Sequence, residues 1–140
     1  MSYYDDDLRL SLKESGVKYE VLSDEMHDKF LMRINSQFKF SGGKIAWQSV
    51  TNRFFYFGDG LNDGLEEIAK KLSNAPFGYV FCIGDSLTDC AYKFCAKDMS
   101  RVFSVFSEIP QHTYFFSEDI SWISCLSMEG MYEGVLLNDT

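Results

Sequence analysis

Ser86 stands where a nucleophile could stand. It lies in Gly84-Asp85-Ser86-Leu87-Thr88-Asp89, directly after the apolar run Tyr79–Ile83. A strand that ends in a polar turn exposes a hydroxyl. That hydroxyl attacks a carbonyl once a neighbouring base takes its proton and a third group orients the base. The chain has two histidines, His27 and His112, and only His112 follows Ser86. A second oxygen-rich stretch is Gly58-Asp59-Gly60-Leu61-Asn62-Asp63. As a calcium loop it would place Leu61 at position three and Lys70 at position twelve, where an oxygen ligand and a bidentate glutamate are required. A glycine-rich turn leading into a helix capped by Asn62 is the simpler expectation. Cys82, Cys90, Cys95 and Cys125 lack the paired C-x-x-C of a zinc site, and no Gly-Lys-Ser/Thr closes a phosphate loop. No metal and no cofactor are expected.

Two local resemblances follow from these stretches. The Ser86 segment resembles the nucleophile block of GDSL-type hydrolases, which also implies an Asp-x-x-His near the C-terminus and separate Gly and Asn oxyanion donors. This chain departs from that pattern at Ile109, and its serine lies past the middle. The Asp59 segment resembles the magnesium loop of haloacid-dehalogenase-type phosphatases and cation pumps, which implies an upstream Asp-x-Asp at the end of a buried strand. Asp5-Asp6-Asp7 follows no apolar strand and is expected to be a solvated acidic end. Catalysis is therefore not the expected function, and a hydrolase using Ser86 is kept as the alternative.

The elements that must carry these residues are short. Leu8, Leu10 and Leu12 alternate with polar residues and predict a half-buried strand. Val17, Tyr19 and Val21 predict another after a turn at Ser15-Gly16. Ser23 caps a predicted short helix with Phe30, Leu31 and Ile34 on one face. Ile45–Val50 and Arg53–Phe57 are predicted as strands joined at Thr51-Asn52. A helix is predicted over 62–73, with Leu65, Ile68, Ala69 and Leu72 on one face, acids early and lysines late. Strands are predicted at Tyr79–Ile83 and Ala91–Cys95, then a helix over 98–108. Strands at Thr113–Phe116, Trp122–Leu126 and Tyr132–Leu136 follow, with turns at Glu118-Asp119 and Glu129-Gly130. Strands in neighbouring pairs with inserted helices predict an α+β fold, a single domain over 1–140 with a largely antiparallel sheet and two or three helices.

Composition narrows the function classes. A chain of 140 residues buries roughly 68–70% of its unfolded surface, so no staple is needed. Aromatic residues are 16%, too many for a disordered chain. The first residues lack the basic start and apolar run of a secretory signal, and no segment has the ~18 apolar residues of a membrane helix. A cytoplasmic protein with reduced thiols is expected. Net charge is −8, with −2 over residues 1–71 and −6 over 72–140, and no Lys or Arg follows Arg101. Direct nucleic-acid or anionic-membrane binding is disfavoured, because both need clustered cations. A basic protein partner is favoured, because opposite fields speed association.

The last third, Glu108-Ile109-Pro110-Gln111-His112-Thr113-Tyr114-Phe115-Phe116-Ser117-Glu118-Asp119-Ile120-Ser121-Trp122, then Met128-Glu129-Gly130, resembles the C-terminal hairpin region of bacterial toxin-immunity proteins, including those of contact-dependent growth inhibition. The resemblance spans about a quarter of the chain and departs from the pattern at Tyr132-Glu133-Gly134-Val135. It implies a protein that neutralises a cognate toxin domain by occluding its active site. A nuclease fits best, since its basic cleft would accept carboxylates. Candidate contacts are Asp59, Asp63, Asp85, Asp89, Glu118, Asp119 and Glu129, with the two turns flanking Trp122 preferred. Trp122 itself fits the core better than an interface, despite the interface preference for that residue. An acidic adaptor or nucleic-acid mimic is a further alternative; the oligomeric state is left open.

Overall fold

The computed structural model describes residues 2–41, 44–57, 66 and 78–136. The chain runs through α1 (Tyr3–Glu14), β1 (Tyr19–Val21), α2 (Asp24–Gln37), β2 (Phe40–Ser41), β3 (Lys44–Ile45) and a 3-10 turn at Trp47–Ser49. It continues through β4 (Phe54–Phe57), β5 (Tyr79–Gly84), β6 (Ala91–Cys95), a second 3-10 turn at Ala96–Asp98, α3 (Met99–Phe106), β7 (Thr113–Phe116), β8 (Trp122–Leu126) and β9 (Met131–Leu136). Seven strands form one sheet in the order β1-β6-β5-β7-β8-β9-β4, and every pairing in it is antiparallel. Strands β2 and β3 form a separate ribbon. This is the α+β architecture that the sequence predicts.

The sheet is buried on both faces. On one side Val80, Cys82, Tyr92, Phe94, Phe115, Trp122, Leu126 and Tyr132 pack with Leu8 and Leu12 of α1 and with Val102, Phe103 and Phe106 of α3. On the other, Phe81, Ile83, Tyr114, Phe116, Ile123, Cys125 and Val135 pack with Phe30 and Ile34 of α2 and with Ile45 and Trp47. Strands covered on both sides carry mostly apolar residues, so β7 and β8 are buried throughout, Thr113 and Ser124 included, without polar alternation. Phe30, Phe81 and Phe116 form one aromatic group, with ring centroids 4.9 to 6.1 Å apart. The Tyr114 hydroxyl accepts the Ile45 N–H at 2.9 Å and ties the ribbon to the sheet.

Two sequence expectations are corrected here. Residues 8–12 are helical, not a strand. Ser2 caps α1, its side chain accepts the Asp5 N–H, and the Asp5 carboxylate returns to the Ser2 N–H. That reciprocal cap satisfies donors that helix initiation would leave unpaired. Leu8 and Leu12, four apart, share the inner face, while Leu10 points outward at 56% exposure. The apolar spacing of two and four fits either period, and the cap decides. The second correction concerns Ile45–Val50. Only Lys44–Ile45 is strand, and Trp47–Ser49 turns inward so that the indole is buried in the second core. Strand β4 pairs with β9 instead, after a reversal at Asn52 with φ of 62°. The predicted helix over 62–73 lies outside the described residues, apart from Glu66, which is helical and exposed.

Truncation separates the helical from the extended reading of residues 8–12. Leu8→Ala and Leu12→Ala should each cost about 2–5 kcal/mol in chemical denaturation. Leu10→Ala should change stability by less than about 0.5 kcal/mol, whereas a half-buried strand would make all three costly.

A hydrogen-bonded acidic rim as the candidate binding site

The connection from β5 to β6 is Asp85–Cys90, and two side chains from elsewhere hold it. Gln111, 3% exposed, turns its Oε1 toward the loop backbone, where it accepts N–H bonds from Leu87 at 2.8 Å, Thr88 at 3.1 Å and Ser86 at 3.5 Å. Its Nε2 donates to the Thr88 and Thr113 hydroxyls at 3.0 and 3.3 Å. A side chain at Gly84 would collide with Gln111 and Thr88, so the absence of a Cβ there lets the clamp close.

The second holder is Asp5, which is fully buried. Its carboxylate accepts the Ser2 hydroxyl at 2.6 Å, the Asp89 N–H at 2.7 Å, the Cys90 N–H at 3.2 Å and the Tyr92 hydroxyl. The Ser2 hydroxyl also lies 2.8 Å from the Leu87 carbonyl oxygen. Burial alone would raise the Asp5 pKa, but the bonds from Ser2, Tyr92, Asp89 and Cys90 outweigh it and hold the carboxyl below its ordinary value. The same carboxylate, together with burial, pushes the Tyr92 phenol upward. The expectation of a solvated acidic end at residues 5–7 is therefore corrected at Asp5. A three-residue acidic run conceals the first turn of a capped helix. The spacing Ser2-x-x-Asp5 before an apolar stretch is the signal that could have found it.

This geometry puts the loop to structural use. The Ser86 Oγ donates to Asp85 Oδ1 at 3.2 Å. Asp85 Oδ1 also accepts the His112 N–H at 2.9 Å, and the Asp85 N–H bonds the His112 carbonyl at 3.0 Å. The His112 Nδ1 accepts the Met128 N–H at 3.1 Å. In the neutral ring that assignment puts the proton on Nε2, so the basic nitrogen is spent on the main chain and not on a hydroxyl. The backbone N–H groups of Ser86, Leu87 and Thr88, where an oxyanion would sit in an acyl-transfer site, point at Gln111.

The bonds join α1, the β5–β6 loop, His112 and the β8–β9 turn into one frame at one end of the sheet. Asp85, Asp89 and Glu129 stand on it, all exposed. Met128 is 58% exposed beside Glu129, and Tyr3, 75% exposed, follows the Ser2 cap at the same end. The Glu129 carboxyl is held below its usual value, first by its own backbone N–H, then by the Ser127 hydroxyl, with a smaller contribution from His112. It remains charged at neutral pH.

Glu118 and Asp119 do not join this group. They lie in the β7–β8 turn, and successive turns of an antiparallel meander face opposite ends of the sheet. Strand β8 separates them from Glu129 by roughly 14 Å at ~3.4 Å per residue. Arg33 of α2 donates to the Glu118 carbonyl at 2.7 Å. Asp119 is bound by Ser117 at 2.8 Å and by the Ser121 N–H at 3.1 Å, which lower its pKa. Between the turns Trp122 is 2% exposed and packed in the core, so its indole is not an interface anchor. The preferred pair of turns thus forms no compact patch. Asp59 and Asp63 lie outside the described residues, as do the loop candidates for magnesium or calcium. Gln111 and Met128 carried no signal in the sequence, because their roles come from what the fold brings beside them.

Asp5→Ala should cost at least about 3 kcal/mol, since it removes a cap and leaves buried donors at Asp89, Cys90 and Tyr92 unpaired. Folding lowers the Asp5 pKa, so its contribution is present above the ordinary value of 3.8 and is lost as pH falls through the lower folded value. Urea midpoints measured from pH 7 down to pH 2 should fall below about pH 4, and the slope in that window should shrink in Asp5→Asn. No protein-family model matches the chain and no curated protein matches it, so the reading of this rim rests on its geometry.

Proposed function

We propose that this chain is an inhibitor of the immunity type, which binds a basic toxin domain through the rim formed by Asp85, Asp89 and Glu129 around Met128. The observation that carries the reading is the hydrogen-bonded frame beneath those carboxylates. Charges fixed before encounter lose little conformational freedom on binding, which is how a small surface reaches useful affinity. An exposed methionine beside Glu129 adds an adaptable apolar contact next to the charges. The resemblance of the last third to immunity proteins agrees with this, as does the charge of −6 over residues 72–140. The bonding of Ser86 and His112 supports a scaffold role for the serine loop over a nucleophilic one. Among the described residues no helix is long and apolar enough to cross a membrane. Action in the cytoplasm belongs to the same proposal, because a nuclease does its damage there.

The direct test uses the toxin domain encoded beside this chain's own gene. Equimolar chain should abolish its nuclease activity, and the association rate should fall steeply as salt rises. Asp89→Lys with Glu129→Lys leaves the Asp85 frame intact and should slow association about tenfold. Met128→Ala should cost about 1 kcal/mol of affinity, while Ser86→Ala should leave inhibition unchanged. An association rate indifferent to salt and to both charge reversals would sink the proposal.

A further inference from the structure

Strand β1 ends the sheet, and among the described residues no strand pairs with its outer side. Its register against β6 sets Tyr19 opposite Phe94, Glu20 opposite Lys93 and Val21 opposite Tyr92. One step further along, the Leu22 N–H bonds the Ala91 carbonyl at 2.9 Å. Bonded and non-bonded pairs alternate along an antiparallel ladder. Glu20 therefore bonds inward to β6, while Tyr19 and Val21 turn their N–H and C=O groups outward. The side chains along this edge are open. Val21 is 38% exposed, the Glu20 side chain 67%, and Lys18 is exposed. Glu20 meets Lys93 only at 3.8 Å, and Lys18 makes no ion pair among the described residues.

A lysine on an edge strand rejects a neighbouring strand unless that strand sets an acid opposite it. The stretch Lys18-Tyr19-Glu20 meets this condition against itself. We propose that β1 is a self-docking edge, to which a second copy of this chain adds its own β1, antiparallel, across a two-fold axis at Tyr19. The two Tyr19 residues then exchange both main-chain bonds through their outward groups. Lys18 stands opposite the partner's Glu20, and Glu20 opposite the partner's Lys18. These are the close, non-bonded positions, with Cα atoms about 4.5 Å apart. The neighbouring axes lose this match. An axis at Lys18 or at Glu20 sets like charges face to face, which is destabilising. An axis at Val21 sets Glu20 against the partner's Leu22 and runs Tyr19 into the partner's Ser23, the cap of α2. The contact uses the same patch on both copies, so it closes at two. A three-residue strand makes a small interface, which places the dimer in the weak, transient class. Each copy carries −8, but at physiological salt charges more than about 8 Å apart are screened, and the cross-strand pairs are closer than that. The edge shares no residue with the acidic rim and stands independently of the inhibitor reading.

The test is sedimentation equilibrium of the full chain at about 0.15 M salt. Concentrations run up to about 1 mM, the weak end of specific association. The mass should rise toward two copies, and hydrogen exchange at the Tyr19 amide should slow as concentration rises. Lys18→Glu and Glu20→Lys each set like charges opposite one another and should weaken self-association at least about tenfold. Mixed in equal amounts, the two variants set unlike charges opposite at both positions and should recover the pairing, which an unfolded variant could not do. An unaltered chain that stays monomeric throughout would overturn the proposal. A dimer whose Tyr19 amide exchanges as fast as in the monomer would overturn it too, as would a mixture that pairs no better than either variant alone. Protection of Tyr19 only after a toxin domain is added would assign the edge to a strand of another protein, and would also overturn it.

Discussion

The fold depends on a carboxylate with no solvent exposure. Asp5 completes the Ser2 cap of α1, accepts two backbone donors from the β5–β6 loop and takes the Tyr92 hydroxyl from strand β6. One side chain thereby sets where the helix starts, where it lies on the sheet and what shape the loop has. A buried charge is tolerable only when its lone pairs are filled, and here five donors fill them. The cost of leaving any of those donors unpaired makes the arrangement cooperative, because removing the carboxylate exposes a defect in three elements at once.

From that anchor the order spreads along one end of the molecule. Gln111 completes the loop that Asp5 begins, and Asp85 passes the connection to the backbone of His112. His112 passes it to the turn that carries Met128 and Glu129. The result is a surface whose charges are exposed while Asp5 and Gln111 beneath the loop are buried. A loop built to turn over substrate needs free donors and a free base. In this chain the donors of Ser86, Leu87 and Thr88 and the His112 Nδ1 are spent on rigidity.

The two ends of the sheet differ in kind. At the end with Glu118 and Asp119 the carboxylate of Asp119 folds back onto Ser117 and Ser121. The side chain of Ile120 plugs the core there at a φ of 52°, a left-handed conformation that β-branched residues seldom adopt. Burial of that side chain and the bonds to Ser121 N–H offset the strain. This turn closes the core beneath Glu118 and Asp119, which stay exposed, and the opposite end carries Asp85, Asp89 and Glu129. The acidic character of the second half of the chain thus divides between the two ends of the sheet.

Much of the architecture was legible in the residues alone. Strands β6, β7 and β8 fall where the apolar runs put them, α2 starts at the Ser23 cap, and the α+β class follows from the order of elements. These are local properties, set by backbone preference and by turn chemistry within a few residues. What the sequence left open was decided at long range. Leu8, Leu10 and Leu12 suit a strand or a helix equally, and the Ser2–Asp5 cap with its partners near residue 90 selects the helix. Trp122 and the turns around it look like one site in a linear chain, yet the antiparallel path buries the indole and sends the turns to opposite ends. Gln111 and Met128 meet the β5–β6 loop and His112 across 16 or more positions, because a hydrogen bond is a relation in space. Residue type and local spacing therefore determine which elements form, and the tertiary structure alone determines which polar groups meet.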